Sequence, residues 1–461
     1  MNAAVHRLFS SAGLLAFLTR WQDACKADAF VLVVSAPVRE WLLPEESLSV
    51  LGRDYPLLVV DRLPACPTSA SYAEALEHVG AWLELHAVRS PVVAGIGGGT
   101  ALDMAKLVRA AFRREFRCVL HDAVPLLPPL LLVPSTAGSG AEVLPRVILA
   151  DPVRIRLLED HAYIPDDILL CPELCESQPA VTRGRALFSA IARCIESYWA
   201  VRSSSESRAH SWEGLRLLWK AVASLQEDRF DHASALEGAY LSGCATAMSR
   251  TSVVESLAHQ LVSRLGMSYG DAIAILLPEF FRFVAGVGVE DCTDQRGAAF
   301  VKRRIMELSM IIGGPGSDAE MAAQALEQLR SRLGLMVRLP VAVFTQEDEL
   351  GEQTLVVNRK RLQGESWIEG SGSTAGLHEY GAHPGLVALA ERPRAQGMQA
   401  TSQSGLLLNP GGQSRVVEVN EAGIPEWLVT SDLKNDDRST NTPRLCSRAV
   451  LRRILLGLKN G

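Results

Sequence analysis

"GIGGGTALDMAK", residues 95–106, decides the reading of this chain. Gly97, Gly98 and Gly99 stand between an apolar run, "SPVVAGIG" (90–97), and an amphipathic one, "TALDMAKLVRAAFRREF" (100–116). A strand that ends in glycines and turns directly into a helix builds an anion site. Unpaired backbone N–H groups point outward at the helix N-terminus, where the dipole favours negative charge. Residues without side chains let a pyrophosphate come close to the backbone. The spacing is not G-x-G-x-x-G, because Thr100 takes the third glycine's place, and no Gly-Lys-Ser/Thr follows as in a P-loop. A tight βα turn that binds nothing would look the same. The second turn shifts the balance. "VPSTAGSGAEV" (133–143) also follows an apolar run and is rich in hydroxyls. Ser135, Thr136 and Ser139 there, with Thr100 and Asp103 in the first turn, are candidate contacts to one dinucleotide clamped from both sides.

Outward from these turns, the first third of the chain alternates. "AFVLVVS" (29–35), "PLLVVD" (56–61) and "PPLLLVPST" (128–136) read as further strands, and "SYAEALEHVGAWLELH" (71–86) as a helix. Strands alternating with helices and flanked by glycine imply an α/β domain with a parallel sheet, placed at residues 1–178. From 179 to 461 helical periodicity prevails, as in "GRALFSAIARCIESYWAV" and "SVVESLAHQLVSRLG", and predicts an all-α second domain. A Gly-, Ser- and Gln-rich stretch at about 363–425 reads as an insertion, and helix returns after Ser447. The formal charge of −6 gives no reason to expect nucleic acid or an anionic membrane as partner. No run is long and apolar enough to span a bilayer, and the N-terminus lacks a signal-peptide pattern. Nine scattered cysteines read as free thiols of a reducing cytoplasm. A homodimer is left open.

The two turns together resemble the iron-containing alcohol dehydrogenase superfamily, whose members carry GGGS-x-x-D-x-A-K and PTTAGTGSEV turns where this chain has "GGGTALDMAK" and "PSTAGSGAEV". "YIPDDILLCPELCESQP" (163–179), "IESYWAVRSSSESR" (195–208) and "AMSRTSVVESLAHQL" (247–261) extend the likeness, which is nearest to the phosphonoacetaldehyde reductase branch. The resemblance implies NADP or NAD bound between an α/β and a helical domain, and a divalent metal held by one Asp and three His. At the matching positions stand Ser189, Arg193, Glu255 and Tyr269. Serine is a weak neutral ligand, arginine is permanently cationic and tyrosine has a high pKa. The expectation is therefore no metal.

What the altered site does stays open among several readings. The guanidinium of Arg193 could stabilise a developing alkoxide in the metal's place, with Glu255 pairing with it. It could instead anchor a phosphonate or carboxylate on the substrate. Tyr269 or His259, four residues after Glu255 on the same helical face, would give the proton. The substrate would be a small aldehyde or alcohol. Alternatively Arg193 and Glu255 form a salt bridge in an inactive relative that binds dinucleotide or a partner protein. A dehydroquinate-synthase-like lyase fits less well, since that group also needs its metal. Relatives that favour NAD often carry an Asp where Ala36 stands here, so a 2′-phosphate is not repelled and Arg39 is close enough in sequence to meet it. That favours NADP over NAD.

Overall fold

The computed structural model describes residues 3–8, 10–53, 56–64, 66–113, 127–150, 155–226, 229–337, 407–408, 414–415, 441–446, 450–451, 453–455 and 458. Most of the 363–425 stretch therefore lies outside the described residues, as does much of the helix expected after Ser447.

The α/β half runs β1 (Ala4–Arg7), α1 (Leu14–Ala24), β2 (Ala29–Val34), α2 (Ala36–Leu42), α3 (Glu45–Leu51), β3 (Leu57–Val60), α4 (Ser69–His86), β4 (Pro91–Gly97), α5 (Gly99–Ala111), β5 (Leu130–Pro134), β6 (Arg146–Ala150), β7 (Ile155–Glu159) and β8 (Asp167–Leu170). Six of these strands form one parallel sheet in the order β1-β8-β5-β4-β2-β3. Every residue of β2 and β4 is buried, as expected for strands covered on both faces. Val31 and Val33 pack into the core under α4 and α5, while Phe30, Leu32 and Val34 pack into the one under α1. α4 begins with a capping box, Thr68 and Ser71 satisfying each other's backbone N–H groups at 3.1 and 2.9 Å. The chain leaves β2 for β3 on one side and returns to β4 on the other. The topological switch point is thus the gap between the carboxyl ends of β2 and β4, where open α/β sheets take their ligands.

β6 and β7 form an antiparallel hairpin that the sequence reading did not foresee. After residue 179 come α6 (Ala180–Trp199), α7 (Ser205–Ala223), α8 (His232–Ser249), α9 (Val253–Leu265), α10 (Tyr269–Ala285), α11 (Ala298–Ile312) and α12 (Ala319–Arg332), with the short pair β9 (Leu407–Leu408) and β10 (Ser414–Arg415). One apolar core, with Phe188, Trp199, Phe280 and Phe281 fully buried, holds the helices together. The second small-residue turn is pressed onto this half. A Cβ on Gly138 would lie 2.6 Å from Ala186 Cα of α6. One on Gly140, at φ +60°, would lie 2.7 Å from Gly243 Cα of α8. Among the described residues no helix is long and apolar enough to cross a membrane.

Candidate active site

The glycine turn sits at the end of β4, on the switch point. Gly97 has φ +154°, and a Cβ there would meet Ser35 Oγ at 2.8 Å and Ala101 Cβ at 2.7 Å, so only glycine lets β4 turn into α5 beside the end of β2. Gly98 is the N-cap of α5 and makes no side-chain cap, so the N-terminus of α5 opens onto the turn. The second turn faces the first across a narrow gap. A Cβ on Gly98 would lie 3.3 Å from Thr136 Cγ2, and one on Gly99 would lie 3.1 Å from Ser139 Cβ. Ser135 N–H donates to the Gly97 carbonyl at 2.8 Å and so ties the two turns together. Ser139 Oγ accepts from Ala141 N–H at 3.2 Å. A cradle that a Cβ would fill, opening on a helix N-terminus and rimmed by hydroxyls, fits a dinucleotide pyrophosphate. Gly97, Gly98, Gly99, Thr100, Ser135, Thr136 and Ser139 are brought together as expected. Ser35, the residue before α2, joins them, and the sequence reading had passed over it.

Two cofactor assignments change. Asp103 does not face the cradle. It is 8% exposed, its Oδ1 takes the Lys106 ammonium at 3.1 Å, and its Oδ2 accepts from Ile148 N–H of β6 at 3.2 Å. Lys106, wholly buried, also donates to the Arg146 carbonyl at 3.0 Å. The one-turn spacing of Asp103 and Lys106 thus pins α5 to the hairpin. Burial pushes the Asp103 carboxyl up and the Lys106 ammonium down, and each partner opposes that shift in the other. Arg39 is the second change. Its guanidinium lies 3.0 Å from Asp61, just past β3, and 3.6 Å from Glu45. Arg39, expected to meet a 2′-phosphate, is thus paired with carboxylates of its own chain.

The four positions that the resemblance sets against the family's metal ligands lie on α6, α9 and the start of α10. Ser189 Oγ donates to the Arg185 carbonyl at 2.7 Å. Glu255 is 3% exposed and accepts from Thr251 Oγ1, and Tyr269 Oη donates to its Oε1 at 3.2 Å. His259 Nε2 lies 3.8 Å from the same oxygen, and its ring packs against Tyr269 with centroids 5.1 Å apart. The expected Arg193–Glu255 pair does not form. Arg193 donates instead to the Gly138 carbonyl of the second turn, its Nε has no hydrogen-bond partner, and its charge works against the upward push that burial gives the Glu142 carboxyl. The cation beside Glu255 is Arg146 of β6, at 3.8 Å and 6% exposed. A lone arginine opening the apolar strand "RVILA" was the signal for it, since a buried guanidinium needs a carboxylate. Among the described residues no group of three or more His, Cys, Asp and Glu could hold a metal ion. A hydroxyl bonded to its own helix, a guanidinium, one carboxylate and a phenol do not fit a divalent transition metal, which takes three or four imidazole, thiolate or carboxylate ligands.

A parallel-sheet domain with a glycine cradle, joined to a helical half that carries the candidate catalytic side chains, is an architecture suited to a nucleotide-dependent oxidoreductase. The chain belongs to the iron-containing alcohol dehydrogenase family, whose sequence models match residues 18–171 and, for the C-terminal part, 186–350. It is 30% identical over 285 residues to the phosphonoacetaldehyde reductase of Streptomyces viridochromogenes, covering 58% of this chain and 70% of that one. It is 28% identical to the long-chain-alcohol dehydrogenase 1 of Geobacillus thermodenitrificans, covering 52% of this chain and 60% of that one. Among solved structures it superposes on a 1,3-propanediol oxidoreductase with TM-score 0.64 at 15% identity, over 99% of this chain and 97% of that one. The iron-containing alcohol dehydrogenase of Corynebacterium glutamicum gives 0.62 at 16% identity, over 100% and 96%. These likenesses support an oxidoreductase of the alcohol dehydrogenase and aldehyde reductase kind.

Proposed function

We propose that this protein is an NAD(P)H-dependent reductase of a small aldehyde that works without a divalent metal, and that its substrate carries a phosphonate or carboxylate. The observation that carries this reading is the shared oxygen of Glu255, which takes the Tyr269 hydroxyl and lies beside the His259 ring and the Arg146 guanidinium. When bound in the glycine cradle, the dinucleotide supplies the hydride for the carbonyl carbon. Tyr269 and His259 are the candidate proton donors to the carbonyl oxygen: Glu255 holds the Tyr269 hydroxyl, which must leave that bond to donate, and the His259 ring is placed by its packing on Tyr269. Arg193 and Arg146 supply the fixed positive charge that a metal gives elsewhere in the family. The same guanidiniums suit an anionic substrate group, and the likeness to a phosphonoacetaldehyde reductase supports that class.

A second reading, dinucleotide binding without turnover, is favoured by the bond from Arg193 to the Gly138 carbonyl, which commits part of that guanidinium. One experiment separates the two. Purified protein is assayed for metal content and for aldehyde-dependent oxidation of NADPH and NADH, with and without a chelator, beside Arg193→Met. The reductase reading expects no stoichiometric metal, chelator-resistant turnover, and a fall of about 10²–10³-fold in kcat for Arg193→Met with cofactor affinity kept. One iron or zinc per chain at this site, or parental turnover in Arg193→Met, refutes it. Tight cofactor binding with no turnover favours the second reading.

A further inference from the structure

The turn that joins α8 to α9 is built around a backbone conformation that side-chain-bearing residues avoid. Arg250, the C-cap of α8, sits at φ 62° and ψ −176°, a region reserved almost wholly for glycine. Such a conformation persists only where its surroundings over-determine it. Four contacts do so here. The Arg250 guanidinium grips Glu159 of β7 at 2.5 and 2.9 Å. Asn441 Nδ2 donates to the carbonyls of Ser249 at 2.9 Å and Thr251 at 2.8 Å, spanning Arg250. Glu196 Oε1 of α6 accepts from Ser252 N–H at 3.0 Å and from Glu255 N–H at 3.4 Å. Thr442 Oγ1 accepts from Val253 N–H at 3.1 Å.

α9 depends on these outside partners. Its N-cap, Ser252, makes no side-chain cap, so the first-turn N–H groups find their acceptors on α6 and on a segment nearly two hundred residues further along the chain. Asn441 and Thr442 are each 1% exposed and are themselves fixed. Asn441 accepts from Val201 N–H at 3.0 Å and, through its side chain, from Arg202 N–H at 2.8 Å. Thr293 binds the Thr442 carbonyl at 2.5 Å, and Arg444 pairs with Asp291 at 2.7 Å. Residues 441–446 therefore strap the α6–α7 loop, the α8–α9 turn and the α10–α11 loop to one another.

We propose that Asn441 and Thr442 are positioning residues of the active site: the strap fixes the first turn of α9, and through it Glu255 and His259, without touching substrate or cofactor. Glu255 is the third residue of α9 and follows any shift of that turn directly, and His259 lies one helical turn further on. The kinetic consequence rests on the reductase reading, whereas the placement can be measured without turnover.

The test compares Asn441→Ala and the near-isosteric Thr442→Val with the parent full-length chain, by hydrogen exchange, NADPH titration and steady-state kinetics. Exchange in the first turn of α9 is expected to speed up by about tenfold or more while α7 and the sheet are unchanged. On the same ground kcat falls on the order of ten- to a hundredfold, and the Kd for NADPH stays within about twofold. Thr442→Val shows the same pattern, smaller. Parental exchange in α9 overturns the proposal, and so does acceleration spread evenly over all helices. Local acceleration with parental kcat overturns its catalytic part. Local acceleration in a chain whose parent reduces no aldehyde supports the placement and defeats the reductase reading alone.

Discussion

A single methyl group added to each of two adjacent glycines separates what the fold needs from what the cofactor needs. At Gly97, φ is +154° and the new Cβ would lie 2.7 Å from Ala101 Cβ and 2.8 Å from Ser35 Oγ. Ala101 Cβ is fixed to the backbone of α5 and cannot retreat. Overpacking costs about 1–3 kcal/mol, and the disfavoured backbone about 1–3 kcal/mol more. At Gly98, φ is an ordinary −73°, and the new Cβ would lie 3.3 Å from the Thr136 methyl, which can yield by a few tenths of an ångström. The cost to the fold is within about 1 kcal/mol. Yet that Cβ points across the gap between the two turns, where the pyrophosphate would lie. Losing one charge-assisted N–H contact costs about 1.5–3 kcal/mol, which is roughly a 10- to 100-fold rise in Kd. Thermal unfolding and NADPH and NADH titrations of Gly98→Ala and Gly97→Ala read the two effects apart. Gly98→Ala should melt within a few degrees of the parent and bind cofactor poorly. Gly97→Ala should melt lower by about 2–4 °C for each kcal/mol lost. A Gly98→Ala protein with parental melting and parental Kd would refute the cradle.

Two further outcomes are expected. Asp61→Asn removes the 3.0 Å partner of Arg39 and should shift preference from NADH toward NADPH by about 1 kcal/mol or less at this partly exposed pair; an unmoved ratio of kcat/KM values places Arg39 away from the adenosine ribose. Burial, and then the Glu255 carboxylate, push the Glu196 carboxyl from its ordinary 4.5 up to about 7. The folded state therefore keeps a proton that the unfolded chain has lost. This contribution to stability is whole below the unfolded value and drains away as pH rises through about 7, by about 3 kcal/mol in all. Glu196→Gln keeps the acceptor oxygen but cannot ionise, so its urea midpoint should change less with pH across this window; a parental slope would count against the assignment.

The strands β2, β3, β4 and β5 were legible to within two residues because each is an apolar run that ends at a small or polar residue. The glycine turn was legible because a strand-to-helix reversal admits few residue types. The four positions set against the family's metal ligands came from the resemblance of whole motifs; nothing in the residues' own pattern marks them. What escaped were partners chosen in three dimensions. β1 is four residues long, and its partner β8 lies some 160 residues away, so no local pattern announces it. Asp103 was read toward the cradle because it belongs to the glycine-turn motif, but its helical face looks onto a hairpin whose strands flank a proline-containing link. Arg39 was read as free because Asp61 belongs to another strand. Arg193 and Glu255 were paired by charge, whereas a nearer cation on β6 and a nearer carbonyl on the second turn had first claim on them.

The glycine contacts between the second turn and the helical half govern how this molecule can move. Where Gly138 meets Ala186 and Gly140 meets Gly243, main chain rests on main chain, with no layer of side chains between to change rotamer and absorb a displacement. Packed interiors shift only when something can repack. At that seam a displacement of one half over the other finds little slack to absorb it. The second turn, which rims the cradle, and α6, which carries Arg193, are thus held against each other by backbone contact, so the spacing between the cradle and Arg193 is set by the fold itself.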